Sequence, residues 1–153
     1  MKIAVLDAKT LGDDINLSPI TDLGEAQVFD TTPLEMVKER VLNKDVVVLN
    51  KVKFNENTVG KNSGVKLVCI TATGFDNVDL DFCRSENIAV CNVVGYSTDS
   101  VAQVTAAMVL SLVNHLSEYD EFSKSGKYTK SGVHNCLTPV YHELAGKTWG
   151  IVG

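Results

Sequence analysis

Two short segments of the sequence carry residue types that together can hold a small anion. Asn50-Lys51 follows a run of valines, and Ala72-Thr73-Gly74-Phe75 follows another apolar run. A glycine just past a strand lets successive backbone N–H groups turn toward one point, and such a concavity binds anions. With Thr73 and Gly74 as backbone donors and Lys51 as the counterion, the predicted ligand is a small carboxylate or phosphate.

The same residues also have a purely structural interpretation, which the sequence leaves open. Gly74 would then only permit a tight turn, and Lys51 would be a solvated loop residue. Asp7, which ends the first apolar run, is either an active-site acid or a solvated strand end, and we expect the latter. The candidate site therefore depends on whether the fold brings Lys51 and Gly74 to one edge of the molecule.

The histidines and cysteines do not indicate a metal or disulfide site. The chain has three histidines, which are His115, His134 and His142. No carboxylate or cysteine stands at metal-ligand spacing from them, so we expect structural or solvated roles and no bound metal. The chain has four cysteines, which are Cys69, Cys83, Cys91 and Cys136. They lack the C-x-x-C pairs of zinc and redox sites, which predicts free thiols in a reducing cytoplasm.

Short apolar runs alternate with helical segments, a pattern typical of parallel strands joined by helices. Five strands are predicted at residues 2–6, 25–29, 45–50, 66–72 and 88–93. Crossover helices are predicted at residues 33–42, 55–61 and 80–86, the first capped by Thr32 and the last by Asp79. Residues 8–24 are expected to form a loop with room for a short helix.

Right-handed crossovers with this spacing predict an α/β fold with a flavodoxin-like parallel sheet, in which strand three lies beside strand one and strand four beside strand three. Both candidate segments then follow neighbouring strands. After residue 93 the pattern changes to one long helix, at about residues 99–116 and extending toward residue 122. The helix is apolar nearly all round, so we expect it to be covered on most sides.

Composition and charge exclude several classes of partner. A chain of 153 residues with 44% hydrophobic residues is long enough to bury a core. Its net charge of −5 argues against a nucleic-acid partner. The first apolar stretch is too short for a signal peptide, and residues 101–113 fall short of the ~20 that a bilayer requires. We therefore expect a cytoplasmic protein with no membrane partner.

The last residues, Thr148-Trp149-Gly150-Ile151-Val152-Gly153, are predicted to begin another strand. A strand ending in glycine opens the dinucleotide fingerprint G-x-G-x-x-G, whose glycines let a pyrophosphate approach a helix N-terminus. Only the first glycine of that fingerprint would be present. Because an apolar strand without a neighbour is left exposed, we interpret the chain as the N-terminal part of a longer protein.

Five segments carry a resemblance to a known family: residues 2–7, Asn50-Lys51, Ala72-Thr-Gly-Phe-Asp-Asn-Val-Asp79, Tyr96-Ser-Thr-Asp-Ser-Val-Ala-Gln103 and Glu143-Leu-Ala-Gly-Lys-Thr-Trp-Gly-Ile-Val-Gly153. In order and spacing they resemble the D-isomer-specific 2-hydroxyacid dehydrogenases. Within that family the sequence is most similar to the glycerate dehydrogenase or hydroxypyruvate reductase group, whose members carry Y-S-T-x-S-V-A-Q here. The resemblance spans essentially the whole chain.

The resemblance implies a two-domain enzyme that uses NAD, with NADP left open. Residues 1–95 would form the substrate-binding domain, and residues 96–153 would begin a Rossmann domain with the long helix and its first strand. Thr73-Gly74 would donate N–H groups to the substrate carboxylate, and Asn50-Lys51 would line the same pocket. Val101 would lie by the nicotinamide with Thr105 nearby, and Gly153 would open the glycine fingerprint. The helix at residues 99–116 would pack in a homodimer interface.

The implied reaction is hydride transfer between C4 of a nicotinamide and C2 of a 2-oxo acid, with a histidine exchanging the alcohol proton and an arginine polarising the oxo group. The family's catalytic Arg, Glu and His would lie beyond residue 153, so no catalytic residue is assigned here. The chain alone is expected to be inactive.

Two other classes of protein remain as alternatives. A phosphoacceptor receiver domain has the same sheet order, and Asp13 and Asp14 follow strand one. A receiver requires an aspartate at the end of strand three, where this chain has Asn50, and a lysine after strand five, where residues 93–95 are Val-Val-Gly. A non-catalytic binding or dimerising module is the second alternative, because the long apolar helix favours association.

Overall fold

Five short strands form a single parallel sheet in the computed structural model, which describes residues 1–152. The strands are β1 (Lys2–Val5), β2 (Glu25–Val28), β3 (Val46–Leu49), β4 (Leu67–Ile70) and β5 (Ala89–Asn92). Their order is β2-β1-β3-β4-β5. In the register, Val47 pairs with Ala4 on one side and with Val68 on the other. The predicted flavodoxin-like sheet is confirmed, and each strand is one to three residues shorter than expected.

The strands are apolar on both faces because the sheet has a core on each side. The larger core lies under α2 (Leu34–Val41), α3 (Glu56–Val59) and α4 (Leu80–Ser85). Phe54 and Phe82 anchor it, with ring centroids 6.3 Å apart. The smaller core, on the opposite face, contains Ile3, Val5 and Val48. Ile20 of α1 (Ser18–Thr21) is among the partly buried side chains packed against it.

The helix caps test the local predictions residue by residue. Asp79 caps α4 as predicted, since its side chain accepts hydrogen bonds from the backbone nitrogens of Asp81 and Phe82. The expected cap by Thr32 is wrong: its hydroxyl donates to the backbone oxygen of Leu6 instead, and α2 begins after Pro33 without a side-chain cap. A proline disfavours the helical conformation at the residue before it, so Thr32 stays outside the helix and its hydroxyl bonds to Leu6, next to the end of β1.

The chain divides into two compact units, Met1–Tyr96 and a second unit that begins at Ser97. The second unit contains α5 (Thr98–Val113), α6 (Leu116–Lys124) and α7 (Lys127–Ser131). The predicted single helix is therefore two helices, bent by 64°. His115 between them has a left-handed backbone with φ of 51°, and the Asn114 side chain donates to the Leu110 carbonyl at 2.9 Å. A left-handed residue ends a helix because the next turn of backbone hydrogen bonds cannot continue.

The expectation that the long helix is covered is not met within the described chain. No residue of α5 is buried, and Val101, Met108 and Leu112 are 56%, 61% and 75% exposed. None of the single helices in the described part is long and apolar enough to cross a membrane. Taken together, the bent pair of α5 and α6 is long and apolar enough, by length and composition alone.

The strand expected to begin at residues 148–153 is also wrong for residues 148–152, which the structure describes. Residues 148–152 form no strand, and Ile151 and Val152 are almost fully exposed. A parallel strand is held by hydrogen bonds to a neighbour. Residues 97–152 contain no other strand to provide them. Gly153, the predicted first glycine of the fingerprint, lies outside the described residues.

Candidate anion-binding site

A buried carboxylate organises the loop that follows β3. Asp7 is only 6% exposed. Its Oδ1 accepts a hydrogen bond from the backbone nitrogen of Asn50 at 2.8 Å, and its Oδ2 accepts from those of Lys51 at 2.6 Å and Val52 at 3.2 Å. Asp7 is therefore not the solvated strand end that we expected. It is a structural acceptor for three consecutive N–H groups.

The position of Asp7 follows from the strand order. The residue comes directly after β1, and the backbone nitrogen of Leu6 donates to Val48 of β3 at 2.9 Å. The ends of β1 and β3 therefore meet, and a carboxylate after one lies within reach of the loop after the other. Because Asp7 uses these three N–H groups, Lys51 has only its side chain to offer a ligand. That side chain is exposed, and its amine forms no ion pair with any residue from 1 to 152.

Asn77 joins the loop after β3 to the loop after β4. Its Nδ2 donates to the backbone oxygens of Asn50 at 3.2 Å and Val52 at 2.8 Å, and its own carbonyl accepts from the Phe54 nitrogen at 2.9 Å. The segment that contains Gly74 is thus tied directly to the segment that contains Lys51. The sequence reasoning gave Asn77 no role. The sequence signal for such a role was that Asn77 lies in segment 72–79, one of the five segments that resemble the family.

The Thr73-Gly74 loop is also held from its other side, by the end of β5. The Thr73 hydroxyl donates to the Val93 carbonyl at 2.9 Å, and the Asn92 side chain donates to the Thr73 carbonyl at 2.7 Å. Both loop residues are exposed. Within the described chain, no hydrogen bond uses the backbone N–H groups of Thr73 and Gly74. A fixed loop thus presents two free N–H donors, which is an arrangement suited to a carboxylate.

Gly74 is not required here by a left-handed turn. It is absent from the glycines with positive φ, and an added Cβ would meet only Asp76 Oδ1, at an ordinary contact distance of 3.5 Å. The fold therefore tolerates a side chain at this position. What the missing side chain provides is open space beside the N–H groups. The carboxylate of Asp76 also lies beside this space.

A separate cavity of about 380 Å³ opens at the ends of the same strands. It is lined largely by apolar side chains, with Asn50, Thr71 and Thr10 among its polar residues. The side-chain Oδ1 of Asn50 is buried and has no hydrogen-bond partner in the described structure. None of the three predicted substrate residues, Lys51, Thr73 and Gly74, lines this cavity, so it is distinct from the predicted site.

The two predicted cofactor residues that the structure describes lie on α5, in the second unit. Thr105 donates its hydroxyl to the Val101 carbonyl at 2.7 Å, one helical turn earlier, and the Val101 side chain is exposed. In residues 1–152, no group of three or more Asp, Glu, His or Cys side chains is placed to hold a metal ion. His115 contacts Glu118 instead, with 3.3 Å between Nδ1 and Oε1.

The fold defines the class: an α/β domain with a doubly wound parallel sheet, in which the loop after β4 leaves two backbone N–H groups without a hydrogen bond in the described residues. Comparison with known proteins makes this specific. Residues 3–146 match the sequence model of the D-isomer specific 2-hydroxyacid dehydrogenase catalytic domain. The chain belongs to the D-isomer specific 2-hydroxyacid dehydrogenase family, as the sequence segments indicated.

Individual relatives agree with this assignment. A hydroxypyruvate reductase of Blautia hydrogenotrophica is 31% identical over 157 residues, covering 100% of this chain and 49% of that protein. A glycerate dehydrogenase of Methylorubrum extorquens is 26% identical over 154 residues, covering 99% of this chain and 48% of that protein. The chain thus spans about half the length of the curated relatives it matches.

Solved structures show the same fold. The D-lactate dehydrogenase from Aquifex aeolicus, complexed with NAD and lactic acid, superposes with a TM-score of 0.69 at 23% identity. The match covers 94% of this chain and 41% of that one.

Proposed function

We propose that this chain supplies the substrate-carboxylate site of an NAD-dependent oxidoreductase, with NADP left open, that interconverts a D-2-hydroxy acid and a 2-oxo acid. The substrate pair would be D-glycerate and hydroxypyruvate. The observation that carries the proposal is the pair of free N–H groups at Thr73 and Gly74, on a loop joined through Asn77 to the loop of Lys51. The relatives named above support the choice of substrate.

In this proposal the chain's residues bind and orient the substrate and do not move a proton. The substrate carboxylate accepts hydrogen bonds from Thr73 and Gly74, while the Lys51 ammonium offsets its charge and that of Asp76. Two fixed donors on one carboxylate also fix the direction of the bond to C2, the reacting carbon. The exposed apolar side chain of Val101, with Thr105 one turn further, would hold the nicotinamide ring. The cofactor, when bound, supplies or accepts the hydride.

The domain division and the assembly belong to the same proposal. Residues 1–95 would be the substrate-binding domain, and residues 96–153 the start of the NAD-binding domain. The apolar side chains that α5 exposes would be covered in a homodimer, because an exposed apolar patch of this kind is typical of an interface. The protein would act in the cytoplasm, and the chain alone would not turn over NADH with hydroxypyruvate.

The test is a titration of the 153-residue chain with hydroxypyruvate at millimolar concentrations, followed by amide chemical shifts. We expect the largest shifts at Thr73 and Gly74. Lys51→Met should weaken binding by about three- to tenfold, since one exposed charge contributes about 1 kcal/mol. Lys53→Met is the matched control, because it removes a charge from an exposed position two residues away. Equal effects of the two variants, or shifts confined to the cavity near Asn50, would contradict the proposal.

A second candidate function is a non-catalytic dimerising module, favoured by the exposure of α5. Sedimentation of the chain, taken together with the amide titration at Thr73 and Gly74, separates the two candidates. Dimerisation together with no change at residues 73 and 74 would favour the module.

A further inference from the structure

Two cysteines lie side by side on neighbouring strands of the sheet. Cys69 of β4 and Cys91 of β5 are register partners, and their Sγ atoms are 3.5 Å apart. Partners in neighbouring strands point to the same face. Cys91 is exposed and Cys69 is partly exposed, so small reagents in solution reach the pair.

The backbone distance between these strands suits a disulfide. Neighbouring strands lie about 4.8 Å apart, inside the range of about 4.4–6.8 Å between the Cα atoms of disulfide-bonded cysteines. The sulfur atoms must approach each other by about 1.5 Å to reach the bonded distance. β5 is the edge strand and pairs only with β4 among the described residues, so it can shift to allow this approach.

The geometry points to Cys69 and Cys91 as a reversible dithiol–disulfide pair, a modification site for hydroperoxides on the face of the sheet opposite α4. In the first step the Cys91 sulfur attacks one peroxide oxygen, the O–O bond breaks, and Cys91 sulfenic acid and water (from hydrogen peroxide) form. In the second step the Cys69 sulfur attacks the Cys91 sulfur, the S–O bond breaks, and the leaving hydroxide combines with the Cys69 proton as water. Two thiols are oxidised and one peroxide is reduced.

The surroundings of the cysteines set the order of the two steps. Burial, together with the hydrogen bond and charge of Cys91, raises the pKa of the Cys69 thiol to about 12, so Cys69 stays protonated at neutral pH. Cys91 is exposed and Cys69 is only partly exposed, so a peroxide from solution meets Cys91 first. Burial, with a smaller contribution from the Asp79 charge, raises the pKa of the Cys83 thiol to about 11. Cys83 is buried in the core under α4, away from the pair.

The disulfide would act on the loop already described. Cys91 directly precedes Asn92, whose side chain donates to the Thr73 carbonyl. A shift of β5 toward β4 therefore moves one of the two supports of the Thr73-Gly74 loop. The modification site itself does not depend on what that loop binds.

The experiment treats the 153-residue chain with hydrogen peroxide, alkylates it with iodoacetamide under denaturing conditions, and maps the peptides by mass spectrometry. The chain has four cysteines, and we expect oxidation to leave two of them for alkylation. The peptides of Cys69 and Cys91 should be joined within one chain, and dithiothreitol should restore both thiols. Cys91→Ser should lose the cross-link, whereas Cys136→Ser should keep it.

A second measurement uses phenylarsine oxide, which bridges two thiols held side by side. One molecule should bind the reduced wild-type chain, and none should bind Cys91→Ser, whose substitution lies at an exposed position. A cross-link that involves Cys83 or Cys136, a disulfide between two chains, or peroxide oxidation that stops at Cys91 without joining Cys69 would overturn the inference.

Discussion

The Oδ2 atom of Asp7 lies 2.6 Å from the backbone nitrogen of Lys51, a residue 44 positions further along the chain. The contact fixes the β3 loop from the end of β1, and the carboxylate that makes it belongs to a residue only 6% exposed. Because the same carboxylate also holds Asn50 and Val52, one side chain determines the backbone of the whole loop that presents the Lys51 ammonium.

Asp7→Asn should lower the free energy of unfolding by about 3 kcal/mol. The amide keeps the size of the side chain, but one of its two acceptor oxygens becomes an NH₂ group that faces backbone N–H donors. Urea denaturation followed by circular dichroism measures the change. Asp13→Asn, at an exposed position, should stay within about 0.5 kcal/mol of wild type. Equal effects of the two substitutions would show that the Asp7 contacts contribute nothing.

Asn77→Ala should lower the free energy of unfolding by about 2 kcal/mol, because two hydrogen bonds to backbone oxygens of the β3 loop are lost. Amide hydrogen exchange should also accelerate in the loops after β3 and β4 together, since Asn77 joins them. Asn57→Ala, an exposed change on α3, is the control and should leave both loops protected. Faster exchange in only one loop would argue against a coupling through Asn77.

The sequence was sufficient for the sheet because the requirement there is local. A strand buried between two layers needs apolar residues on both faces, and Val46–Leu49 meets this requirement by itself. The chain order of such strands, with short right-handed crossovers, then leaves few possible topologies. The same reasoning located the cap at Asp79, whose partners lie two and three residues away.

The sequence was not sufficient where the deciding partner is distant in sequence or is absent from the described residues. Whether Asp7 is solvated depends on a loop more than 40 residues later. Whether residues 148–152 form a strand depends on a neighbouring strand that residues 97–152 do not contain. The left-handed backbone at His115 is a further difference, because hydrophobic periodicity continues across it and carries no signal of the break.

Two glycines should respond in opposite ways to alanine. At Gly24 an added Cβ would overlap the Met1 carbonyl oxygen, which accepts the Glu25 N–H at the start of the β1–β2 pair. Gly24→Ala should therefore lower the free energy of unfolding by about 2 kcal/mol. Gly74→Ala has room and no left-handed backbone, so it should be neutral or stabilise by about 0.5 kcal/mol.

The titration with hydroxypyruvate should rank the two glycine variants in the opposite order, with Gly74→Ala the more affected. A methyl group at residue 74 occupies space beside the free N–H groups, so Gly74→Ala should weaken hydroxypyruvate binding while the fold is kept. Melting curves and the amide titration, run on both variants, give the two readouts. A Gly74→Ala chain that unfolds more easily than Gly24→Ala would show that residue 74 is a structural glycine.

Asp45 should give the chain an acid-sensitive contribution to stability. Its hydrogen bond with the Lys66 ammonium, and next the one from the Lys2 backbone nitrogen, hold the pKa of the carboxyl below its ordinary value of 3.8. Both distances are 2.8 Å. A lower pKa in the folded state means that this stabilisation is fully present above pH 3.8 and is lost as the pH falls through the folded-state pKa.

Asp45→Asn should therefore lower Tm at pH 7, and the difference from wild type should shrink between pH 4 and pH 2. Lys66→Met removes the larger cause of the lowered pKa and should reproduce part of the effect. Asp13→Asn, at an exposed position, is the control and should leave Tm close to that of the wild type. Added salt should reduce the effect at pH 7, because the pair is solvent-exposed and screened. A constant difference in Tm from pH 7 to pH 2 would mean that Asp45 acts through packing and not through its charge.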